Sequence, residues 1–236
     1  MKRKPPRENV RRFVSLGKNI RGVTTNKVGH IVQFESEQER KLILLLERDV
    51  SVLDYLSQPE TLHYTDGTSS QLHRYTPDFK VWRQNQRIEL HEVTVESRRC
   101  ARESLQMRER AARNICQQRG WYYIVHTDLT LPSGNEYANL DFLSAFRGVT
   151  CVTEAIASWW QSQLNQDPVH PQVILNRAEA QNNRGVFLNG LYHLLWRGSI
   201  QMDWQQPFIW HGTFHPQARI WVSGSAITAA TQVRVK

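Results

Sequence analysis

The sequence has few cysteines and lacks any long apolar segment, and these absences narrow the classes of protein that it fits. Three cysteines among 236 residues, none in a CxxC spacing, argue against a structural zinc site and a disulfide framework, and they predict reduced thiols in a cytoplasm. No stretch reaches the ~18 apolar residues of a membrane span, so we expect no membrane partner. The basic N-terminus precedes no apolar run, which argues against a secretory signal.

Acidic residues are nearly absent from residues 1–27, where Glu8 stands alone against nine Lys or Arg. The whole formal net charge of +8 therefore resides in this segment. A basic arm ahead of a neutral domain favours an anionic polymer as partner, and a solubilising tail is the alternative interpretation. We predict an arm over 1–30 whose DNA-binding residues are Lys2, Arg3, Lys4, Arg7, Arg11, Arg12, Lys18 and Arg21.

Residues 31–149 show the hydrophobic periodicity of an α/β domain. Ser36 followed by Glu39 is a capping-box pattern, so a helix should begin at Glu37. Residues 50–56 are mixed and receive no assignment. The remaining elements imply a mixed sheet flanked by helices. They are strands at 31–34, 58–64, 71–80, 88–95 and 121–127, and helices at 97–119 and 137–147.

The pattern changes near residues 148–152. An amphipathic helix over 152–164 is followed by helical patterns at 171–180 and 184–197. Short strands are expected at 199–204 and 220–222. Three helices and a small β-wing predict a winged-helix-like α+β domain over 150–236.

Two acidic residues stand on neighbouring predicted strands. Asp78 follows Pro77 where one strand opens, and Glu92 lies in the next strand beyond a polar turn. Antiparallel pairing would bring the two carboxylates together, where they repel unless a divalent cation lies between them. Mg²⁺ uses one or two carboxylates and keeps its waters for a phosphate substrate. A surface hairpin with solvated charges is the alternative interpretation of this pattern alone.

Side chains along a strand alternate between the two faces of the sheet, and this places the remaining candidates on different faces. Leu90, Glu92 and Thr94 share one face, whereas His91 alternates to the opposite face with Val93 and Val95. We therefore expect His91 to pack away from the carboxylates. His126, at the end of the buried strand 121–127, is a weaker candidate for a general base.

These features together resemble a known nuclease pattern. Glu39 on a helix, Asp78 at a strand opening and the run Glu92-Val93-Thr94 resemble the PD-(D/E)xK motif. In order and spacing, residues 30–148 are similar to TnsA, the endonuclease subunit of heteromeric cut-and-paste transposases. The matching segments are Phe34–Glu39, Leu44–Glu47, Val52–Tyr55, Gln58-Pro59, Tyr75–Phe79 and Glu92–Thr94.

The resemblance implies a restriction-endonuclease-like fold and a Mg²⁺-dependent DNA endonuclease in a bacterial cytoplasm, with Mn²⁺ as a possible substitute. Such a subunit cuts the 5′, non-transferred strand at transposon ends. An integrase-type transposase cuts and joins the 3′ ends, and an AAA+ regulator binds both proteins. Carried over to this sequence, the metal ligands are Glu39, Asp78, Glu92 and the backbone carbonyl of Val93.

The sequence departs from the family at Thr94, which stands where the motif has a lysine. A hydroxyl cannot supply the positive charge that stabilises the transition state. Lys80, two residues after Asp78 on the same face, is the expected substitute, and Lys41 is a weaker one. Four interpretations remain open: a working nuclease with a relocated lysine, a slow nuclease, a scaffold that binds DNA and partners without cutting, and a stand-alone restriction or repair nuclease.

Overall fold

The computed structural model describes residues 20–65, 71–148, 152–179 and 183–223. The chain divides after Leu131 into two units, Met1–Leu131 and Pro132–Lys236, which are described separately. This division lies before the boundary expected near 148–152, because the helix Gly134–Ser144 packs with elements of the second unit. The functional assignment of the domains stays a prediction.

A four-stranded mixed sheet forms the centre of the first unit. Its strand order is β3-β6-β7-β8, with β3, β6 and β7 antiparallel and β7 parallel to β8. The parallel pair requires a crossover, which α2 and α3 provide. This architecture confirms the predicted mixed sheet with helices. The elements are β1 Gly22–Thr25, β2 Ile31–Phe34, α1 Glu37–Arg48, β3 Val52–Ser57, β4 Leu62–Thr65, β5 Leu72–Tyr75, β6 Phe79–Arg83, β7 Ile88–Thr94, α2 Glu96–Ala101, α3 Glu103–Gln118 and β8 Tyr122–Thr127.

Helix α1 begins at the predicted capping box. The Ser36 hydroxyl accepts a hydrogen bond from the Glu39 N–H (3.1 Å), and the Glu39 carboxylate accepts one from the Glu35 N–H (2.9 Å). The apolar stripe of the helix packs on one face of the sheet, where Phe79 and Val81 of β6 are fully buried. This face is called the α1 face.

The opposite face of the sheet, called the α3 face, is covered by α3 and by the β4–β5 hairpin. Leu90 of β7 is fully buried there against Ala112 and Cys116 of the helix. Alternation along β7 therefore directs odd-numbered residues to the α1 face and even-numbered residues to the α3 face. Glu92 follows Leu90 onto the α3 face, as the sequence predicts.

Strand β3 and the break between α2 and α3 were not predicted. Residues 50–56 carried no clear pattern, yet Val52–Ser57 pairs with β6 along its length. The helix expected over 97–119 is interrupted at Arg102, whose backbone is extended (φ −116°, ψ 105°). Because α2 buries none of its residues, its sequence contains no apolar stripe that would reveal where the helix stops.

The arm predicted over residues 1–30 contains a strand and an ordered turn over residues 22–30. Strand β1 pairs with β2, and the turn between them is organised by the buried Asn26. Its side-chain oxygen accepts hydrogen bonds from the N–H groups of Val28 (3.1 Å) and His30 (2.9 Å). Its amide donates to the Tyr55 carbonyl and the Asp54 carboxylate, both at 2.8 Å. A hydropathy pattern cannot reveal such a polar anchor. The other arginines and lysines predicted to bind DNA, at 2–18, lie outside the described residues, and Arg21 lies just before β1.

The second unit consists of helices and short strand pairs. Helix α7 is its core element, with Leu191 and Leu195 fully buried. Asn139 of α4 donates to the carbonyls of Trp204 (3.1 Å) and Gln206 (2.8 Å). Strand β9 pairs with β12, and β10 with β11.

The helices and short strands occur roughly where they were expected, but the winged-helix assignment is not confirmed. The elements are α4 Gly134–Ser144, α5 Glu154–Gln163, α6 Pro171–Glu179, α7 Arg184–Arg197, β9 Gln201–Met202, β10 Ile209–Trp210, β11 Thr213–Phe214 and β12 Ile220–Trp221.

Among the residues that the structure describes, no helix is both long and apolar enough to cross a membrane.

The Asn26 anchor predicts a large loss of stability on truncation. We expect Asn26→Ala to lower the free energy of unfolding by about 2–3 kcal/mol, because buried partners lose their hydrogen bonds. Asn85→Ala, at an exposed turn asparagine that accepts one hydrogen bond, is the matched control and should cost under ~0.5 kcal/mol. Urea unfolding measures both values, and equal losses would contradict the anchor.

Candidate active site

Asp78 and Glu92 meet where β6 begins and β7 nears its end. The Asp78 carboxylate accepts a hydrogen bond from the Val93 N–H (2.7 Å), which ties it to β7. Glu92, the residue before Val93, contributes its negative charge to the raised pKa of Asp78, so the two carboxyl groups lie close enough to interact. The structure therefore brings together the two carboxyl groups that the hairpin pattern predicted to be close.

Both carboxyl groups ionise less readily than usual, chiefly because they are buried. Burial and the negative charges of Glu92 and Glu39 raise the pKa of Asp78 well above its usual value, although the Val93 N–H and the Arg108 charge act in the opposite direction. Burial also raises the pKa of Glu92, against the lowering effect of Arg108 and Tyr75. Carboxylates that are held together at this cost are characteristic of cation sites and acid–base sites.

Both oxygens of Glu92 have partners on the α3 face. One accepts a hydrogen bond from the Tyr75 hydroxyl (2.5 Å), and the other contacts the guanidinium group of Arg108. The Tyr75 hydroxyl also contacts that of Tyr123 at 2.8 Å. Burial and the nearby Glu92 charge raise the pKa of Tyr75 well above its usual value, so Tyr75 remains a protonated donor.

The backbone that presents Asp78 is held by Gln58, which follows β3. Gln58 has a left-handed conformation (φ 45°), which is rare for a residue with a side chain. Its N–H donates to the Asp78 carbonyl at 2.7 Å. Backbone strain of this kind is retained where the surrounding structure imposes it, and it is frequent at functional sites. Gln58 thus acts on the site through its main chain.

The carboxylate oxygens at this position meet only some of the requirements of a site for a hard divalent cation such as Mg²⁺. Among the described residues, no three His, Cys, Asp or Glu side chains are grouped so that they could hold a metal ion together. The Glu39 oxygens accept hydrogen bonds from the Glu35 N–H and the Ser36 hydroxyl, so the capping box orients this carboxylate. Asp78 and Glu92 nevertheless suit Mg²⁺, which binds through one or two protein carboxylates and takes further oxygens from water and substrate.

The lysine expected to replace the motif lysine is engaged elsewhere. The Lys80 ammonium pairs with Glu60 at 3.0 Å and lies 3.8 Å from the centre of the Trp121 ring. Alternation directs Lys80 to the same face as Glu92, as predicted, but its charge is held by Glu60 and by aromatic rings. Lys41, the weaker candidate, is buried in α1.

Arg108 is the functional candidate that the sequence did not single out. It is one of several arginines over 98–119, for which the sequence alone allows either a phosphate contact or a solvated helix face. Helical spacing offered a signal, because Arg108 lies three residues after Leu105 and four before Ala112, on the stripe that faces the sheet.

The two histidine candidates lie on the α1 face. His91 contacts Glu89 through Nε2 (2.9 Å) and His126 through Nδ1 (2.9 Å). Glu89 also pairs with Arg83 at 2.8 Å and with Arg87 at 2.7 Å. The prediction that His91 points away from the carboxylates is confirmed, and His126 joins His91. Neither imidazole lies on the face that carries Glu92.

The buried histidines predict a pH-dependent stability. Burial and the neighbouring His91 lower the pKa of His126 to about 3, and burial lowers the pKa of His91 as well. An unfolded histidine takes up its proton near pH 6.5, so below about pH 6.5 the unfolded state binds more protons than the folded state. We expect the free energy of unfolding to fall by up to ~1.4 kcal/mol per pH unit for each such histidine as the pH decreases from 6.5.

Urea unfolding between pH 7.5 and 5 measures this dependence. The lowered pKa of Glu89 affects stability only below about pH 4.5, whereas the raised pKa of Asp78 and that of Glu92 add stability as the pH falls, so the histidine contribution is read from the difference between variant and wild type. His126→Phe should make the dependence shallower, whereas His63→Phe, at an exposed position, should leave it unchanged. An unchanged slope in His126→Phe would show that His126 accepts a proton in the folded protein.

Residues 49–128 match the family described as the TnsA-like endonuclease N-terminal domain. The matched segment runs from Asp49, directly after α1, to Asp128, directly after β8, and it includes Asp78, Glu92, Thr94 and Arg108. Glu39 precedes it. No curated protein matches the chain. The family match confirms the resemblance to TnsA-like endonucleases over this segment, and it supports a nuclease of Tn7-like transposition.

Proposed function

From this TnsA-like segment we propose that the chain is a Mg²⁺-dependent DNA endonuclease subunit of a heteromeric transposase. It cleaves the 5′, non-transferred strand at transposon ends, and Mn²⁺ can replace Mg²⁺. The observation that carries the proposal is the hydrogen bond from the Val93 N–H to the Asp78 carboxylate (2.7 Å), which ties Asp78 to the residue after Glu92 inside the matching segment. An integrase-type transposase and an AAA+ regulator are the proposed partners, and a winged-helix-like domain over 150–236 is the proposed docking module.

The residues of the site have separate tasks in this reaction. Asp78 and Glu92 offer oxygen donors at the strand ends, and the Val93 N–H and the Gln58 N–H fix the side chain and main chain of Asp78. Tyr75 holds the Glu92 carboxylate in one orientation through its hydroxyl. When bound, Mg²⁺ supplies an activated water and neutralises the leaving oxygen. Because these donors are positioned before DNA binds, little reorganisation is needed at the moment of cleavage.

Removal of the Asp78 charge should abolish cleavage while leaving the fold intact. We expect Asp78→Asn to reduce 5′-strand nicking by at least ~100-fold and to raise the melting temperature, because carboxylate repulsion is relieved. The assay uses a labelled transposon end, the partner transposase and Mg²⁺. Glu103→Gln, which removes an exposed carboxylate at the start of α3, is the control and should nick normally. Normal nicking by Asp78→Asn would refute this site.

A scaffold that has lost cleavage is the second candidate. It is favoured by Thr94, which carries no charge, and by Lys80, whose ammonium is held by Glu60 and Trp121. In this case the nuclease fold would serve to bind DNA and the partner proteins.

Metal binding separates the two candidates without a cleavage assay. A ligand of the native state raises the melting temperature, by an amount equivalent to ~2.7 kcal/mol when its concentration is 100 times its dissociation constant. If the chain is a nuclease, Mg²⁺ or Mn²⁺ should raise the melting temperature of the wild type and leave that of Asp78→Asn unchanged. Equal shifts in Asp78→Asn and wild type, or no shift in either, would favour the scaffold.

A further inference from the structure

Arg108 is the cationic side chain that contacts Glu92 on the α3 face. Its guanidinium group reaches one Glu92 oxygen from the first half of α3 and lies 4.5 Å from the centre of the Tyr75 ring. Its side chain is 27% exposed and that of Glu92 is 9% exposed, so the ion pair is largely shielded from water. Because the pair is shielded from water, dissolved salt weakens the attraction between Arg108 and Glu92 only slightly.

One hydrogen-bond donor of Arg108 is left without a partner. Its Nε is buried and donates to no acceptor among the described residues. A buried donor without an acceptor is unfavourable, so an acceptor is expected in the working complex. The planar guanidinium group can bind two oxygens side by side, which suits a carboxylate and a phosphate oxygen at the same time.

Thr94 and Arg108 approach the same point from different elements. Alternation along β7 places Thr94 on the same face of the sheet as Glu92. A small cavity of about 10 Å³ is lined by Glu92, Thr94, Arg108 and Tyr123. This volume accommodates about one water molecule. A long side chain at position 94 would extend toward the space that the Arg108 guanidinium group now occupies.

We propose that Arg108 supplies, from α3, the positive charge that Thr94 cannot supply from β7, and that its Nε–H binds a phosphate oxygen of the cleaved strand. The inference rests on the proposed endonuclease function and names a further residue of that site. Lys80 is the less suitable candidate for this role, because its ammonium pairs with Glu60 and lies over the Trp121 ring. Arg108 also holds Glu92 in place before DNA binds.

The test compares substitutions that remove and restore the charge in the full chain. Arg108→Gln removes it, the double variant Arg108→Gln/Thr94→Lys returns it from β7, and Lys80→Gln removes the competing cation on the same face. In the labelled transposon-end assay, we expect Arg108→Gln to nick about 100-fold more slowly, and the double variant to recover to within about tenfold of wild type. Lys80→Gln should nick faster than Arg108→Gln, and the reverse order would favour Lys80 as the catalytic cation.

A second measurement decides the inference independently of cleavage. In EDTA, Arg108→Gln should melt about 5 °C or more below wild type, because Glu92 loses its cation, and Thr94→Lys should recover most of this loss. Mg²⁺ should stabilise Arg108→Gln more than it stabilises wild type, because the guanidinium group no longer competes for Glu92. Arg108→Lys, which keeps the charge, should lie nearer to wild type in both measurements and serves if Arg108→Gln does not fold.

The outcomes separate this inference from the proposed function. If wild type nicks and Arg108→Gln nicks equally well, or if Thr94→Lys restores neither nicking nor the melting temperature, the role of Arg108 is overturned and the endonuclease stands. If wild type does not nick, the proposed function fails. The melting temperatures in EDTA and Mg²⁺ then still decide whether Arg108 is the charge that Thr94 lacks.

Discussion

The proximity of two carboxyl groups at the ends of β6 and β7 is the constraint on which the site depends. The pKa of Asp78 is raised because burial removes water that would stabilise its charge and because Glu92 and Glu39 repel it. Such an arrangement persists in a fold only when other groups oppose the repulsion. Here the opposing groups are the Val93 N–H on Asp78, and the Tyr75 hydroxyl and Arg108 guanidinium group on Glu92. Each comes from a different element, so the sheet, the hairpin and α3 must all be in place for the carboxylates to stay together.

Alternation along β7 separates two buried polar networks that would otherwise interfere. Glu89 and His91 point to the α1 face, where Arg83 and His126 complete their contacts. Glu92 points to the α3 face and has Tyr75 and Arg108 as partners. The backbone of a single strand lies between the two networks. The histidine network therefore bears on the stability of the sheet, whereas the carboxylate network bears on the proposed chemistry, and substitutions in one should leave the other largely intact.

The parts that could be predicted from the sequence are those that depend on neighbouring residues. The capping box at Ser36 and Glu39, and the alternation that separates His91 from Glu92, are local patterns, and the structure confirms both. The β1–β2 hairpin could not be predicted, because Asn26 finds its partners at Asp54 and Tyr55, far along the chain. The partner of Lys80 is equally non-local, since Glu60 and Trp121 approach it from separate elements. Residues that share a face can be deduced from periodicity, whereas the side chain that each one contacts depends on how the elements pack.

Because contacts depend on packing, the site can keep a positive charge although Thr94, at the motif position, carries none. A side chain at position 94 and one at position 108 project from β7 and α3 toward one small cavity beside Glu92. The electrostatic field at the carboxylates depends on where the charge lies and not on which element carries it. A guanidinium group differs from an ammonium group in holding Glu92 with one nitrogen while keeping another donor available. The Arg108–Glu92 contact stabilises Glu92 without DNA, and a metal ion and a phosphate would therefore have to share these two side chains. The stability of the site is thus coupled to the binding of metal and DNA.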